Sequence, residues 1–307
     1  MPELPEVETV ARGLATTIPG RRILSVRLGK TDFIDDPVAL EQHLPGRCIE
    51  SVERFGKFML LRLSPPISNG EAPPANGTEQ TALLVHLGMT GHLAPQTATE
   101  PYDKHTHVFF ELDDGRELRY TDPRRFGRMA YLAGESLRAE LLRFGAEPLE
   151  IDAEEFATRI RSRRARIKAL LLDQTVLRGV GNIYADESLW RAGIHPARLG
   201  SSLALEETTK LRHALQDILR HAIKMRGSSI SNFLDAAGEP GDYQRRHRAY
   251  GREGLPCYRC RAPIHRIIVA GRSSHFCPQC QLPRRGRKGL SGTGNRKQGR
   301  DAKRRSR

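Results

Sequence analysis

The sequence predicts an α+β protein of three parts: an antiparallel sheet domain, a mostly helical domain and a small β-hairpin finger. Three observations carry that expectation. Residues 22–64 and 82–132 hold short β-rich runs (ILSVRL, FMLLRL, ALLVHL, HVFFEL) separated by turn signals such as Asp114-Gly115. From near Leu137 to about Arg226 apolar residues recur at helical spacing, as in IKALLLD and LEETTKLRHALQDILRHAI. Near the C-terminus, CYRC and CPQC are two C-x-x-C pairs separated by sixteen residues.

Composition sets the outer limits. With 307 residues, 38% of them hydrophobic, the chain can furnish two or three domains with cores of their own. No cationic stretch followed by an apolar run opens the sequence, and nowhere do eighteen apolar residues follow one another, so neither an export signal nor a membrane span is expected. The expected address is cytoplasmic, which in a bacterial cell includes the nucleoid. A net charge of +14 points to a polyanionic partner, yet eleven Lys or Arg and a single acid, Asp301, lie in residues 281–307. That tail has almost no apolar residues and reads as disordered, either adding sequence-independent attraction to phosphates or standing as a solvated extension with no specific role.

Taken in order, Leu4, Val7, Val10, Ala11 and Leu14 predict a helix over residues 5–14, packed against the sheet domain. Pro5 suits its first turn, and Glu6 and Glu8 sit at the positive end of its dipole. Between the two halves of the sheet, SPPISNGEAPPANGTEQ, residues 64–80, reads as a surface loop. GVGNIYADESL is a tight glycine turn entering a helix, with Asn182 near the turn, where exposed N–H groups can hold a phosphate.

Cys257, Cys260, Cys277 and Cys280 have the spacing of a structural four-thiolate zinc site. His265 and His275 lie between the pairs as alternative ligands, and two disulfides are the competing reading, which a reducing compartment disfavours. A hairpin this small depends on its metal to fold, so the tip IIVAGRSSHF presents Arg272 on a stiff turn. Cys48 stands apart and reads as a buried small hydrophobe.

The opening helix leaves Pro2 and Glu3 unexplained. Loss of Met1, usual before proline, makes Pro2 a secondary-amine N-terminus. An α-amine titrates near ~8 against ~10.4 for lysine, so part of it is unprotonated at neutral pH. Such an amine can attack a sugar C1′ to give an iminium that acts as an electron sink, with Glu3 beside it as general acid and base.

MPELPEVETV, HLGMTG, YTDPRRFG, GVGNIYADESL, AGIHP and the terminal PCYRC…GRSSHFCPQCQ occur in this order from residue 1 to about Gln281. Together they resemble the bacterial formamidopyrimidine-DNA glycosylase (MutM) family. The resemblance implies a two-layer antiparallel β-sandwich with flanking helices as an N-terminal catalytic domain (1–136), then a helix-two-turns-helix DNA-binding domain with a lesion-recognition loop (137–250). A zinc finger (251–281) and the basic tail (282–307) follow. It implies a monomeric bifunctional glycosylase and AP lyase of base excision repair with one structural Zn2+. Such an enzyme excises 8-oxoguanine and formamidopyrimidines from double-stranded DNA and cleaves the abasic strand by β,δ-elimination.

By the same resemblance Pro2 is the Schiff-base nucleophile, Glu3 the proton donor and acceptor, and Glu6 a second carboxylate that organises the site. Lys57 matches a lysine of proton transfer during β-elimination, and Arg272 the finger arginine of phosphate binding and δ-elimination. Met89, Arg124 and Phe126 match the family's three residues inserted into the duplex to fill the place of an everted base. By hydropathy alone, Met89 and Phe126 belong in the core. His105, Arg164, Lys168, Asn182 and Arg272 match phosphate contacts. Ser228, Ser229 and residues 238–243 fall in the segment near an everted base.

The chain departs from the family pattern in a few places. HTHV stands where HDHV is frequent, Arg261 follows the second cysteine where glycine is frequent, and the 64–80 loop and the tail are additional. None removes a group the chemistry needs. Two rivals stand beside this reading. The endonuclease VIII branch, which favours oxidised pyrimidines, is opposed by MPELPE and by the complete DPRRF element. A non-catalytic zinc-finger DNA-binding protein leaves Pro2, Glu3 and Lys57 together without a task.

Overall fold

The computed structural model describes residues 1–65, 79–230, 233–236 and 238–283. The loop expected at 64–80 and the basic tail expected at 282–307 lie, apart from a few residues at their edges, outside the described residues.

Two four-stranded antiparallel sheets face each other in the N-terminal unit. One has the order β1-β6-β7-β5, from β1 (Ile23–Leu28), β5 (His92–Thr97), β6 (Thr106–Leu112) and β7 (Arg116–Thr121). The other has the order β2-β3-β4-β8, from β2 (Ile49–Phe55), β3 (Phe58–Leu63), β4 (Thr81–His86) and β8 (Arg128–Ala133). FMLLRL and ALLVHL are nearly continuous apolar runs because these central strands are covered on both faces. Met59, Leu61, Leu83 and Val85 enter the core between the sheets, while Leu60, Ala82 and Leu84 meet Leu137 of α3 (Gly134–Leu142) on the outer face.

The opening helix α1 spans Leu4–Ala15, slightly longer than its periodicity predicts, with Pro5 in the first turn, and a short helix α2 (Pro37–His43) lies between β1 and β2. Its apolar face is split between two cores. Val7, Val10, Ala11 and Leu14 pack into the sandwich, whereas Leu4 is fully buried in the core of the helical unit. The Leu4 N–H also donates to the Gly179 carbonyl at 3.0 Å. The first residues of the chain are therefore clamped at the seam between the two units.

The helical unit contains α4 (Ala153–Arg161), α5 (Ile167–Leu172), α6 (Asn182–Ala192) and the long α7 (Leu205–Lys224). On α7, Leu211, Ala214, Leu215, Ile218, Leu219 and Ala222 form the buried stripe that the helical spacing predicts. The finger is a hairpin of β9 (His265–Val269) and β10 (Arg272–Phe276) joined by Ala270-Gly271, both at positive φ. Trp190 of α6 packs with Cys257, Ile264 and Cys277, which fixes the finger to the helical unit. Cys48 is half-buried, with its N–H on Ser64 Oγ, rather than a core residue. Among the described residues no helix is long and apolar enough to cross a membrane.

Truncation of the side chain that anchors the start of α1 in the helical core has a predictable cost. Leu4→Ala is expected to lower unfolding stability by about 2–5 kcal/mol, read from urea denaturation, because the site is closed on all sides and cannot collapse easily.

Candidate active site

The start of α1, the β2–β3 turn, the start of α6, the segment after Gly227 and the finger tip converge on a cavity of about 580 Å³. Pro2, Glu3, Glu6, Lys57, Asn182 and Arg272 all line it. Residues drawn from positions 2 to 272 thus meet in one place.

Glu3 caps α1 and reaches across the seam to the N-terminus of α6. Its Oε1 accepts from the Ile183 N–H at 2.9 Å and its Oε2 from the Tyr184 N–H at 3.4 Å. Gly181 leaves room for this approach, since a Cβ there would lie 2.3 Å from Glu3 Cδ. Glu6 is buried directly behind. Its Oε2 accepts the Glu3 N–H at 2.9 Å, and its Oε1 accepts the Tyr184 hydroxyl at 2.5 Å and the Ser228 N–H at 2.6 Å. One carboxylate therefore joins α1, α6 and the segment that follows α7.

Burial governs the titration of both acids. It pushes the Glu3 carboxyl above its ordinary value, against the pull of Lys57 and the two α6 N–H groups. Burial and the charge of Glu3 push Glu6 up to about 7. Two acids held this close do not both ionise readily, so the pair retains a proton near neutral pH.

Lys57 is buried in the turn between β2 and β3. Desolvation lowers its pKa; Glu3 opposes this and the charge of Arg272 adds to it. His86, half-buried, is held at about 4 by desolvation and by the charges of Lys57 and Arg128, so it is neutral beside the lysine. Met1 is present in the structure, which makes the Pro2 nitrogen an amide nitrogen and leaves the Met1 α-amine as the stand-in for the free N-terminus. Burial lowers the pKa of that amine, with Glu3 and Glu6 opposing and Lys57 and Arg124 adding. Loss of Met1 would leave the Pro2 amine in the same surroundings.

On the other side of the cavity, Asn182 opens α6 and Arg272 opens β10, exposed at the finger tip. Asn182 Nδ2 donates to Ser273 Oγ at 3.3 Å. One turn along α6, Asp186 binds the neighbouring elements: its Oδ1 accepts from Lys168 Nζ at 2.6 Å and its Oδ2 from the His275 N–H at 2.9 Å. Lys168 Nζ donates in addition to the Ser273 carbonyl. This corrects the expectation that Lys168 touches phosphate. Its side chain is fully enclosed and both partners are internal, so it holds β10 against α6 instead.

The four finger cysteines place their Sγ atoms within 4.8 Å of one another. Four thiolates around zinc at about 2.3 Å stand about 3.8 Å apart, so the cluster fits a closed tetrahedral site. His275 is engaged by Asp186 and His265 is exposed, which leaves neither as a ligand.

Three domain matches span most of the chain. Residues 1–129 match the formamidopyrimidine-DNA glycosylase N-terminal domain, 144–234 the H2TH domain of the same enzymes, and 254–282 the zinc finger found in FPG and IleRS. The formamidopyrimidine-DNA glycosylases of Herpetosiphon aurantiacus and Solibacter usitatus are 44% and 45% identical over 92% of this chain and 100% and 99% of their own. The chain belongs to the formamidopyrimidine-DNA glycosylase family. It is accordingly a DNA glycosylase of base excision repair. A Lactococcus lactis FPG in complex with abasic-site DNA superposes with a TM-score of 0.80 at 33% identity, covering 92% of this chain and 100% of that one. A complex of a Lactococcus lactis FPG variant with Fapy-dG containing DNA gives 0.81 at 34% identity, with the same coverage.

Against the family pattern, the remaining expected residues lie on the surface. Met89 is 41% and Phe126 56% exposed, so hydropathy misplaces both; they stand on turns that project from the sandwich. The Arg124 guanidinium lies 4.5 Å from the centroid of the Phe126 ring. Arg164 is exposed in the connection between α4 and α5, and His105 is half-buried before β6. Sequence reading missed Tyr184, Asp186 and Glu187, whose carboxylate accepts the N–H groups of Arg248, Ala249 and Tyr250. The i, i+4 spacing of Asn182 and Asp186 was an available signal, because it puts both on one helix face.

Two measurements check this geometry. Glu6 binds its proton more tightly folded than unfolded, so its contribution to stability falls as pH rises from about 4.5 to about 7 and is constant above. The Tm of the wild type minus that of Glu6→Gln is therefore expected to decline across that window. Zinc removal by a strong chelator is expected to unfold residues 255–281 and to release one equivalent of metal, followed by exchange of the finger amides and a metallochromic dye.

Proposed function

We propose that the cavity receives an everted oxidised purine nucleotide of double-stranded DNA, with Pro2 as nucleophile once Met1 is lost. The Pro2 nitrogen attacks C1′ and the glycosidic bond breaks, its electron pair leaving with the base, which takes up a proton; the Pro2 nitrogen then sheds its own proton and the C1′–O4′ bond opens, O4′ taking up a proton, to give the iminium. Glu3 is the proton donor and acceptor, and Glu6 keeps Glu3 in place. Loss of a 2′ proton from the resulting iminium expels the 3′ phosphate, with Lys57 assisting. A second elimination, aided by Arg272, expels the 5′ phosphate and leaves a gap.

The observation that carries this reading is the placement of Pro2 against two buried acids that are pinned to different elements, Glu3 on α6 and Glu6 on the Ser228 segment. A proton retained near neutrality is available to the leaving base, and a desolvated amine beside two cations is available as nucleophile. The Lactococcus lactis relatives crystallised with abasic-site and Fapy-dG containing DNA support the same class of substrate.

On this reading Met89, Arg124 and Phe126 enter the duplex, and His105, Arg164, Asn182 and Arg272 contact phosphates. Residues 1–136 are the catalytic unit, 137–250 the DNA-binding unit with the lesion-recognition loop, and 251–281 the finger. The basic tail, 282–307, adds attraction to the backbone. The protein acts as a monomer in the cytoplasm on nucleoid DNA.

Borohydride trapping tests the assignment. The wild type is expected to form a covalent adduct with a duplex holding 8-oxoguanine opposite cytosine, and peptide mapping should place it on Pro2. Pro2→Gly is expected to lose base excision, and Lys57→Ala to weaken excision or strand cleavage with its melting curve unchanged. An adduct on another side chain, or none, would overturn the nucleophile.

A further inference from the structure

Asp122 lies at the base of the two turns that carry the exposed wedge, and it is completely buried. Each of its carboxylate oxygens accepts two hydrogen bonds. Oδ1 takes the Thr90 hydroxyl at 2.6 Å and the Arg124 N–H at 3.2 Å; Oδ2 takes the Gly127 N–H at 3.0 Å and the Tyr120 hydroxyl at 3.3 Å. The first of these donors follows Met89 directly, and the next two bracket Phe126. The residue's own N–H donates to the His105 carbonyl at 3.0 Å, and its carbonyl accepts the Arg125 N–H at 3.2 Å.

The two turns are also in backbone contact. A Cβ at Gly88 would lie 2.4 Å from the Phe126 carbonyl carbon, and Gly88 itself has φ of 62°. Arg125, between the two outward residues, adopts a positive φ of 53°, a conformation that a side-chain-bearing residue holds only when its surroundings impose it. The hydrogen bonds at either end of that residue, from Arg124 N–H and Gly127 N–H, both end on Asp122.

We propose that Asp122 is the positioning residue that joins the Met89 turn and the Arg124–Phe126 turn into one stiff wedge, so that three side chains from two chain segments enter the duplex together. The inference rests on the proposed insertion of these residues. It goes beyond it by naming a buried carboxylate, which touches no DNA, as a determinant of base eversion. A flexible wedge would lose its own conformational freedom on entering the stack, at the moment when unstacking is already costly. Four bonds to one buried charge remove that freedom in advance.

Asp122→Asn keeps the shape but presents an amide nitrogen to a pair of donors whichever way the amide turns. In the full-length protein, single-turnover excision of 8-oxoguanine opposite cytosine is expected to fall about tenfold or more, the scale of losing charge-assisted hydrogen bonds. Strand cleavage and borohydride trapping on a duplex that already holds an abasic site are expected to persist, since no base needs to be unstacked there. The rise in fluorescence of 2-aminopurine beside the lesion is expected to shrink in parallel with excision.

Thr90→Val removes a single donor without changing size and is expected to show the same selective loss to a smaller extent, which decides the matter if Asp122→Asn does not fold. Equal excision by the variants and the wild type, or a parallel loss on both substrates, would overturn the proposal. Inactivity of the wild type itself on both duplexes would instead reject the reading on which it rests.

Discussion

The interaction on which the site depends is the docking of Glu3 onto the N-terminus of α6. It costs the desolvation of a carboxylate, and the two N–H groups of Ile183 and Tyr184 offset that cost only because Leu4, the next residue, is buried in the same helical core and donates to Gly179. The apolar contact supplies the free energy and the polar one supplies the direction. Without the first, a chain end of three residues would fray; without the second, the N-terminus would have no fixed relation to the elements on the far side of the cavity.

Electrostatics follow from that placement. A short stretch of chain brings two acids into a closed space, and separate elements bring Lys57 and Arg272 to its other wall. Each sign moderates the other: the cations favour ionised carboxylates and a neutral amine, whereas burial favours neutral forms of both. Proton transfer between such groups needs little reorganisation, because the surrounding dipoles are already set by helix and hairpin backbone. The internal pairing of Asp186 with Lys168 and His275 extends the same order to the finger, so that Arg272 and Asn182 are registered to each other through Ser273.

Much of the fold was legible from local pattern. The strands and helices obey their periodicities because each buries one face or, for β3 and β4, both. The cysteine pairs were legible for a different reason: thiolate geometry around a metal restricts spacing so tightly that sequence separation alone carries the information. Surface residues were harder. Met89 and Phe126 look like core residues by composition, and only their position on projecting turns exposes them. Lys168 looks like a solvated cation beside an arginine-rich stretch, and only the approach of α6 and β10 encloses it.

By itself the sequence determined the three-part architecture, the metal-binding hairpin and the family motifs, since these follow from composition, spacing and the chemistry of single residue types. Tertiary structure decided which acids share a proton, which cation is buried and which is free, and which turns project. Those properties depend on distances between groups as far apart in the chain as Glu6 and Ser228 or Thr90 and Asp122. The free energy of a charge is set by what surrounds it in space, and local sequence holds no record of neighbours that only folding brings together.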